Sequence, residues 1–162
     1  MPSTDLTFRV ASLHDRDIIL HHRRSMFRDM QNGTEAELDR MVETTRPWLE
    51  QALADGSYRA WLAEDARGKV VAGGGVLMCP WPARPGDPNA RRALILNVYT
   101  EPEFRRKGIA RRIMSLITGW LKEQGWHVVF LHASDEGRPL YNSMGFTPTN
   151  EMRLELTRPI PD

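Results

Sequence analysis

The chain has 162 residues, of which 41% are hydrophobic and 27% charged, a composition that fits one globular domain with a sizeable core. Its net charge of +1 excludes a protein whose whole surface covers nucleic acid, for which a basic excess is expected. The single cysteine, Cys79, excludes an internal disulfide and a cysteine-based zinc site, and we expect it to be a buried residue that ends a strand. No apolar run reaches membrane-spanning length and the N-terminal segment lacks the apolar core of a signal peptide, so we expect a cytoplasmic protein.

The first third of the chain is predicted to contain one strand followed by helices. The alternating segment LTFRVAS, residues 6–12, predicts the strand. Apolar residues at helical spacing predict helices over residues 14–31 and 34–45, and the sequence NGT breaks the chain between them. Pro47 disfavours helical geometry at Arg46 and suits a first turn, so it predicts that a new helix starts there.

The rest of the chain alternates strands and helices. Strand patterns, joined by the hairpin DARGK and a proline-rich loop, cover residues 58–64, 70–78 and 92–100. A helical period then predicts a helix over about residues 108–124. The last predicted elements are a buried strand, a short helix and a final strand, at residues 127–133, 137–144 and 152–157. The order βααβββαβαβ predicts an α/β fold with one mixed sheet and helices on both of its faces.

The segment PEFRRKGIARR, residues 102–112, clusters basic side chains around Gly108, with no acid after Glu103. A strand ends just before it and a helix starts within it, so the first helical N–H groups have no internal partner and the helix dipole favours an anion. Gly108 has no Cβ, which lets a phosphate approach the backbone. The alternative is an ordinary helix start with a solvated basic face. Cations there oppose the dipole at about 0.3–1 kcal/mol each, which favours an anion-binding role.

Glycines elsewhere do not form a nucleotide-binding loop. No G-x-x-x-x-G-K-[ST] pattern is present, and the GGG at residues 73–75 does not extend to G-x-G-x-x-G. We interpret these three glycines as strand or bulge positions that another backbone or a ligand approaches closely.

Two segments together resemble the GCN5-related N-acetyltransferases, the GNAT family. NVYTEPEFRRKGIARRIM resembles the acetyl-CoA-binding motif [QR]-x-x-G-x-[GA], which is met here by Arg105, Gly108 and Ala110. SDEGRPLYNSMGF resembles the second signature, a tyrosine four residues before Gly-Phe, which is met here by Tyr141, Gly145 and Phe146. The resemblance implies a single N-acetyltransferase domain, residues 1–162, with a mainly antiparallel sheet. Residues 58–156 would form its acetyl-CoA-binding core and residues 1–57 its variable acceptor-side helices.

The resemblance also implies a site, with acetyl-CoA as co-substrate and no metal. The implied cofactor-binding residues are Val98, Tyr99, Thr100, Arg105, Arg106, Lys107, Gly108, Ile109, Ala110, Arg111 and Asn142. The pyrophosphate would bind backbone N–H groups of residues 106–111, and the pantetheine would pair beside Val98 and Thr100 like an added strand. The Val98 N–H would polarise the thioester carbonyl. Tyr141 would protonate the departing thiolate after direct attack by the amine.

The general base is not identified by the resemblance, because Leu94 and Leu96 stand where many family members carry glutamate or histidine. His132 is a candidate base, directly or through water, and its alternative is a histidine hydrogen-bonded at a strand end. Asn142 either contacts CoA or is solvated on its helix. Ser134 stands where an asparagine near the cofactor is common, which leaves that contact open.

The acceptor side is less defined. His22 and Arg23 interrupt an apolar helix face, which indicates either a polar pocket wall, for example for an acceptor carboxylate, or a solvated face. Trp48, Trp81 and Tyr99 either line a pocket or serve packing, and the loop CPWPARPGDP is a candidate lid.

The predicted function is acetyl transfer from acetyl-CoA to a primary amine of a small molecule or peptide. Nucleic-acid and membrane partners are not expected, and a homodimer is allowed. The alternative is a non-catalytic acyl-CoA-binding sensor or interaction module. Tyr141 favours the enzyme, because a binding module needs no acid for a leaving group.

Overall fold

The computed structural model describes residues 5–158, which form two compact units, one up to His132 and the other from Ala133 onward. The elements of the first unit are β1 (Thr7–Val10), α1 (Arg16–Asp29), α2 (Glu35–Asp55), β2 (Tyr58–Glu64), β3 (Val70–Pro80), β4 (Arg91–Thr100), α3 (Ile109–Glu123) and β5 (Phe130–Leu131). Short 3₁₀ turns precede α1 and α3, at Leu13–Asp15 and Pro102–Phe104. The second unit contains α4 (Arg138–Ser143). None of the helices described is long and apolar enough to cross a membrane.

The five strands form one sheet in the order β1-β2-β3-β4-β5. Neighbouring strands are antiparallel from β1 to β4, and β5 joins β4 in parallel. A Cβ at Gly73 would lie 3.2 Å from His22 of α1, and a Cβ at Gly74 would lie 3.0 Å from Ile113 of α3. Because consecutive residues of a strand point to opposite faces, α1 and α3 cover opposite faces of the sheet. The predicted mixed, mainly antiparallel sheet with helices on both faces is confirmed.

Apolar side chains fill the space on both sides of the sheet. The cluster on one side consists of Ile19, Leu20, Leu49, Ala52, Tyr58, Ala60 and Leu62. The buried stripe of α3 consists of Ile109, Ile113, Met114, Ile117 and Leu121. These residues of α3 follow the helical period, so the predicted helix is confirmed to within one residue at each end.

The prediction that Pro47 begins a new helix is wrong, because α2 runs through it without a break. A proline inside a helix removes one backbone hydrogen bond. The apolar stripe continues past it, with Leu49 and Ala52 buried in the core. Packing of this stripe holds the backbone helical against the local preference at Arg46.

Three further expectations differ from the structure. The strand predicted over residues 127–133 is reduced to Phe130–Leu131, which pairs only with Leu94 and Ile95. Residues 152–157 form no strand, and Met152 is 95% exposed. An alternating pattern is not sufficient for a strand, because the segment also needs a neighbouring strand to pair with. Cys79 lies one residue before the end of β3, half-buried rather than buried, and its thiol donates to the Arg92 carbonyl at 3.7 Å.

Candidate active site

An extra residue in β4 interrupts its ladder with β3. Gly73 pairs with Tyr99 and Gly75 pairs with Leu96, so Asn97 and Val98 together stand opposite Gly74. Asn97 has φ 59°, in the left-handed region that asparagine tolerates better than most residues. This β-bulge re-aims the backbone at Val98, the residue predicted to supply the N–H for the thioester carbonyl.

The second half of β4 has one edge without a strand. Among the described residues, β5 pairs only with Leu94 and Ile95, so no strand continues alongside residues 96–100 on that side. Backbone groups at such an edge are available to an extended, amide-containing ligand. The Thr100 carbonyl is partly used already, since it accepts a hydrogen bond from Arg105 Nε at 2.9 Å. Cofactor contacts by Val98, Tyr99 and Thr100 stay predictions.

The loop that joins β4 to α3 is shaped by two left-handed residues, Arg106 at φ 62° and Gly108 at φ 77°. Gly108 is the N-cap of α3, and no side chain caps the helix. The first turn of α3 contains no acid, and the first bond of the helix runs from the Arg112 N–H to the Gly108 carbonyl at 3.1 Å. A Cβ at Gly108 would meet nothing within 4 Å. Space therefore lies open beside helix-terminal N–H groups that need an acceptor.

The basic side chains of this loop divide into two groups. The Arg105 guanidinium turns inward, where it bonds the Thr100 carbonyl and Asp29 and lies 5.4 Å from the centre of the Tyr99 ring. It ties the loop to β4 and α1. Exposed cations are contributed by Arg106, Lys107, Arg111 and Arg112. Lys107 also donates to the Glu103 carbonyl at 3.1 Å. The loop thus presents positive charge to solvent from a braced backbone, and the predicted cofactor contacts of its residues stay predictions.

A buried polar network behind the bulge was not predicted. The Asn97 amide accepts from Arg23 Nη1 at 2.9 Å and donates to the Tyr58 hydroxyl at 3.0 Å. Burial raises the pKa of Tyr58 to about 12. Gly75 makes room for this network, because a Cβ there would lie 2.4 Å from the Tyr58 hydroxyl. The glycines of β3 thus accommodate side chains as well as the bulge. The sequence signal was a lone asparagine within the apolar segment LILNVY.

A cavity of about 290 Å³ opens on the α1–α2 side of β4. It is lined by Arg23, Thr44, Thr45, Trp48 and Leu96. The Trp48 ring lies 5.8 Å from the Tyr58 ring, and Arg23 lies 5.0 Å from the Phe27 ring. Burial lowers the pKa of the Arg23 guanidinium. Arg23 was interpreted either as part of a polar pocket wall or as part of a solvated face. Its place in the cavity lining supports the pocket wall. Trp48 lines the same cavity, whereas Trp81 is exposed and lies over Arg92 at 4.9 Å.

His22 is a packing residue rather than part of the cavity lining. Its side chain is buried, with its ring 5.2 Å from the Tyr99 ring. Its Nε2 atom is 4.0 Å from Glu101 Oε1, too long for a hydrogen bond, whereas His21 Nε2 lies 3.1 Å from the same oxygen. Burial, followed by the charge of His21, lowers the pKa of His22 to about 4, so its ring is neutral near pH 7. Burial also raises the pKa of Tyr99.

The second unit contains Tyr141, Asn142 and Ser134. Tyr141 lies in α4, with its ring edge-on to Phe146 at 5.9 Å, and burial raises its pKa. The phenol therefore carries its proton at neutral pH, as a proton donor must. Gly137 leaves room for it, since a Cβ there would lie 2.8 Å from the Tyr141 ring. Asn142 is exposed. Ser134 Oγ accepts the Gly137 N–H at 3.1 Å, which gives it a local structural role.

The catalytic roles of Tyr141, Val98 and His132 stay predictions. His132 directly follows β5 and is exposed. Within residues 5–158, no group of three or more His, Cys, Asp or Glu side chains is arranged to hold a metal ion.

Comparison with known proteins identifies the class. The model of the acetyltransferase (GNAT) family matches residues 19–146, and the chain belongs to this family. Membership implies acyl-CoA-dependent acetyl transfer. Comparison with curated proteins gave no match.

Solved structures agree with this assignment. A GCN5-related N-acetyltransferase from Ralstonia eutropha is 34% identical, with 94% of this chain and 99% of that chain covered and a TM-score of 0.88. A predicted acetyltransferase from Clostridium acetobutylicum, solved with acetyl-CoA, is 26% identical, with 94% and 97% covered and a TM-score of 0.85. Glucosamine-6-phosphate N-acetyltransferase from Arabidopsis thaliana shares the fold at 18% identity, with 94% and 99% covered and a TM-score of 0.64.

Proposed function

We propose that the protein is an N-acetyltransferase that transfers an acetyl group from acetyl-CoA to a primary amine in a ternary complex. The observation that carries this proposal is the uncapped, acid-free N-terminus of α3, which follows the half of β4 that has no neighbouring strand on one side. The N-terminus of α3 provides N–H groups and positive potential for phosphate. The second half of β4 provides backbone groups for an amide-containing arm. Acetyl-CoA has both chemical features and supplies the activated acetyl group.

The residues of this chain fit such a ligand at two places. The open space at Gly108 admits a phosphate to the N–H groups of residues 106–111, and the exposed cations around it attract the charge. The bulge frees the backbone near Val98, whose N–H we propose as the donor to the thioester carbonyl. This donor is valuable in the transition state, where negative charge builds on the carbonyl oxygen.

Proton transfers complete the scheme. We propose that Tyr141, whose phenol is protonated at neutral pH, donates its phenolic proton to the departing thiolate. The attacking amine must lose a proton, and His132 is the proposed acceptor, directly or through water. No residue of the enzyme bonds covalently to the acetyl group in this scheme.

A panel of primary amines with acetyl-CoA and a thiol-detecting reagent tests the proposal. We expect thiol release that depends on amine and protein, with the acetylated amine identified by mass spectrometry. Tight CoA binding without transfer to any amine would favour the alternative of an acyl-CoA-binding module, for which the apolar Leu94 and Leu96 are the supporting observation.

Replacement of Tyr141 by phenylalanine isolates the hydroxyl, because the ring remains to pack against Phe146. We expect kcat to fall about 10²–10⁴-fold, while thermal stability and CoA affinity stay near wild type. An unchanged kcat in a folded variant would remove Tyr141 from the chemistry. Pre-steady-state burst kinetics on both proteins would exclude product release as the step that hides the effect.

A further inference from the structure

Arg23 stands apart from the other arginines of α1. Each of the other three has a carboxylate partner: Arg16 pairs with Glu50, Arg24 with Glu35 and Asp39, and Arg28 with Glu35. Within residues 5–158, no carboxylate pairs with Arg23. Its Nε atom is buried without a hydrogen-bond partner. Arg23 as a whole is half-buried. A cation that is partly removed from water and has no anion beside it is unfavourable, so this guanidinium is suited to a negatively charged ligand.

The guanidinium is also held in one orientation. Nη1 donates to the Asn97 amide, which is fixed in turn by the Tyr58 hydroxyl, and the Phe27 ring lies 5.0 Å from the guanidinium. An arginine has five N–H donors in a planar fork, so donors remain after the bond to Asn97. Such a fork matches the two oxygens of a carboxylate.

The surroundings of Arg23 set the size and character of the ligand. The cavity of about 290 Å³ is at the lower end of the range for small-molecule sites. Thr44 and Thr45 add hydroxyl groups, while Trp48 and Leu96 form apolar walls. Arg23 is the single cation of this lining, which suits a carboxylate better than a phosphate dianion.

We propose that Arg23 binds the carboxylate of the acceptor, and that the acceptor is an amino acid or a similarly small amine that carries a carboxylate. This inference rests on the proposed acetyl transfer to an amine. Asn97 joins Arg23 to the bulge of β4, directly beside Val98. The anion-binding group is therefore attached to the same short segment as the proposed thioester donor, which favours an amine and a carboxylate separated by a short spacer.

Pairs of acceptors that differ only in the carboxylate test this inference. Free phenylalanine and phenylalaninamide, and likewise leucine and leucinamide, are compared by kcat/KM with acetyl-CoA. The amides have the less basic amines and are more deprotonated at a given pH, so amine basicity alone favours them. We expect the free acids to be better substrates by at least about tenfold, the range of a charge-assisted hydrogen bond.

Variants of Arg23 test whether this residue causes the preference for free acids over amides. In Arg23→Gln, kcat/KM for the free acids should fall about ten- to hundredfold, mainly through KM, while the amides change little. Arg23→Lys keeps the charge without the fork and should retain part of the preference. Arg40→Gln, which removes an exposed cation of α2 outside the cavity lining, serves as the matched control. CoA affinity verifies that each variant is folded.

The outcomes separate this inference from the proposed function. Equal rates for acids and amides, an equal effect of Arg23→Gln on both, or a preference for O-phosphoethanolamine over the amino acids would overturn the carboxylate site and leave acetyl transfer intact. If no amine is acetylated, calorimetry with the N-acetyl amino acids and their amides on the CoA complex decides. Binding that requires the carboxylate and Arg23 supports the site, and its absence overturns it.

Discussion

The N-termini of α2 and α3 differ in how the first backbone N–H groups of the helix, which have no acceptor within the helix, are satisfied. At α2, the Thr34 side chain accepts the Glu37 N–H at 3.3 Å, and the Glu37 carboxylate accepts the Thr34 N–H at 2.7 Å. This capping box satisfies the helix from within the chain. At α3, Gly108 contributes no side chain and the first turn has no acid. The N–H groups there are left for an acceptor from outside.

The charged residues at the two helix N-termini differ in the same way. Glu35 lies in the first turn of α2, and Arg28 and Arg24 bond its carboxylate and lower the pKa of Glu35 to about 2. The start of α3 has Arg111 and Arg112 on its first turns and the cationic loop before it. Acids favour a helix N-terminus and cations oppose it, so α2 is complete as it stands and α3 gains from binding an anion.

Substitution of Gly108 by valine should have the largest effect on this contrast. A β-branched side chain would fill the space beside the N–H groups. CoA affinity, measured by calorimetry, should therefore fall about ten- to hundredfold. Gly56, the C-cap of α2, is a matched control, because its φ 78° and ψ 7° almost equal the φ 77° and ψ 7° of Gly108. Both positions have open space for a Cβ.

The two valine variants therefore carry similar backbone strain, on the order of 1–2 kcal/mol each. Gly56→Val should lose stability and keep its CoA affinity. Equal loss of affinity in both variants would trace the effect to general destabilisation, and unchanged affinity in Gly108→Val would remove this glycine from the site.

Salt should weaken CoA binding, because exposed cations near α3 face a multiply charged ligand and are screened over ~8 Å at physiological ionic strength. Dephospho-CoA should bind less well than CoA. Lys107→Gln should reduce affinity by about 1.4- to 5-fold, as expected for one exposed pair worth ~0.2–1 kcal/mol, and Arg40→Gln should not. Affinity independent of salt would mean that the backbone alone binds the phosphates and the basic cluster serves something else.

The smallest effect on the ligand is expected at α2. Thr34→Ala removes the capping hydroxyl and should lower the free energy of unfolding by ~0.5–2 kcal/mol, measured by denaturant titration. CoA affinity should not change. A loss of affinity comparable to that of Gly108→Val would break the separation between a structural helix start and a ligand-binding one.

Local patterns in the sequence were sufficient for most elements and for the position of the basic loop before α3. The helical period of α3 and the family motif met by Arg105, Gly108 and Ala110 lie within one short segment, so both can be recognised without knowledge of distant contacts. Pro47 misled because its local preference is outweighed by the packing of Leu49 and Ala52. Residues 152–157 misled because alternation cannot specify a partner strand.

The rest of the candidate site depends on contacts between distant parts of the chain. Arg23 and Asn97 are 74 residues apart in sequence, and Asn97 and Tyr58 are 39 apart. The bulge at Asn97 is a property of two paired strands, and neither strand alone reveals it. The cavity beside Arg23 therefore could not be predicted from the sequence and is defined only by the folded structure.

The account is tested most directly by backbone amide NMR shifts during titration with CoA, because one experiment reports on both helix starts. We predict that the amides of residues 106–111 move with saturation at one equivalent of CoA. Those of residues 34–37, which are capped from within, should stay in place. Movement of residues 34–37 with no change at 106–111, while calorimetry reports binding, would contradict the claim that CoA is held by the open N-terminus of α3.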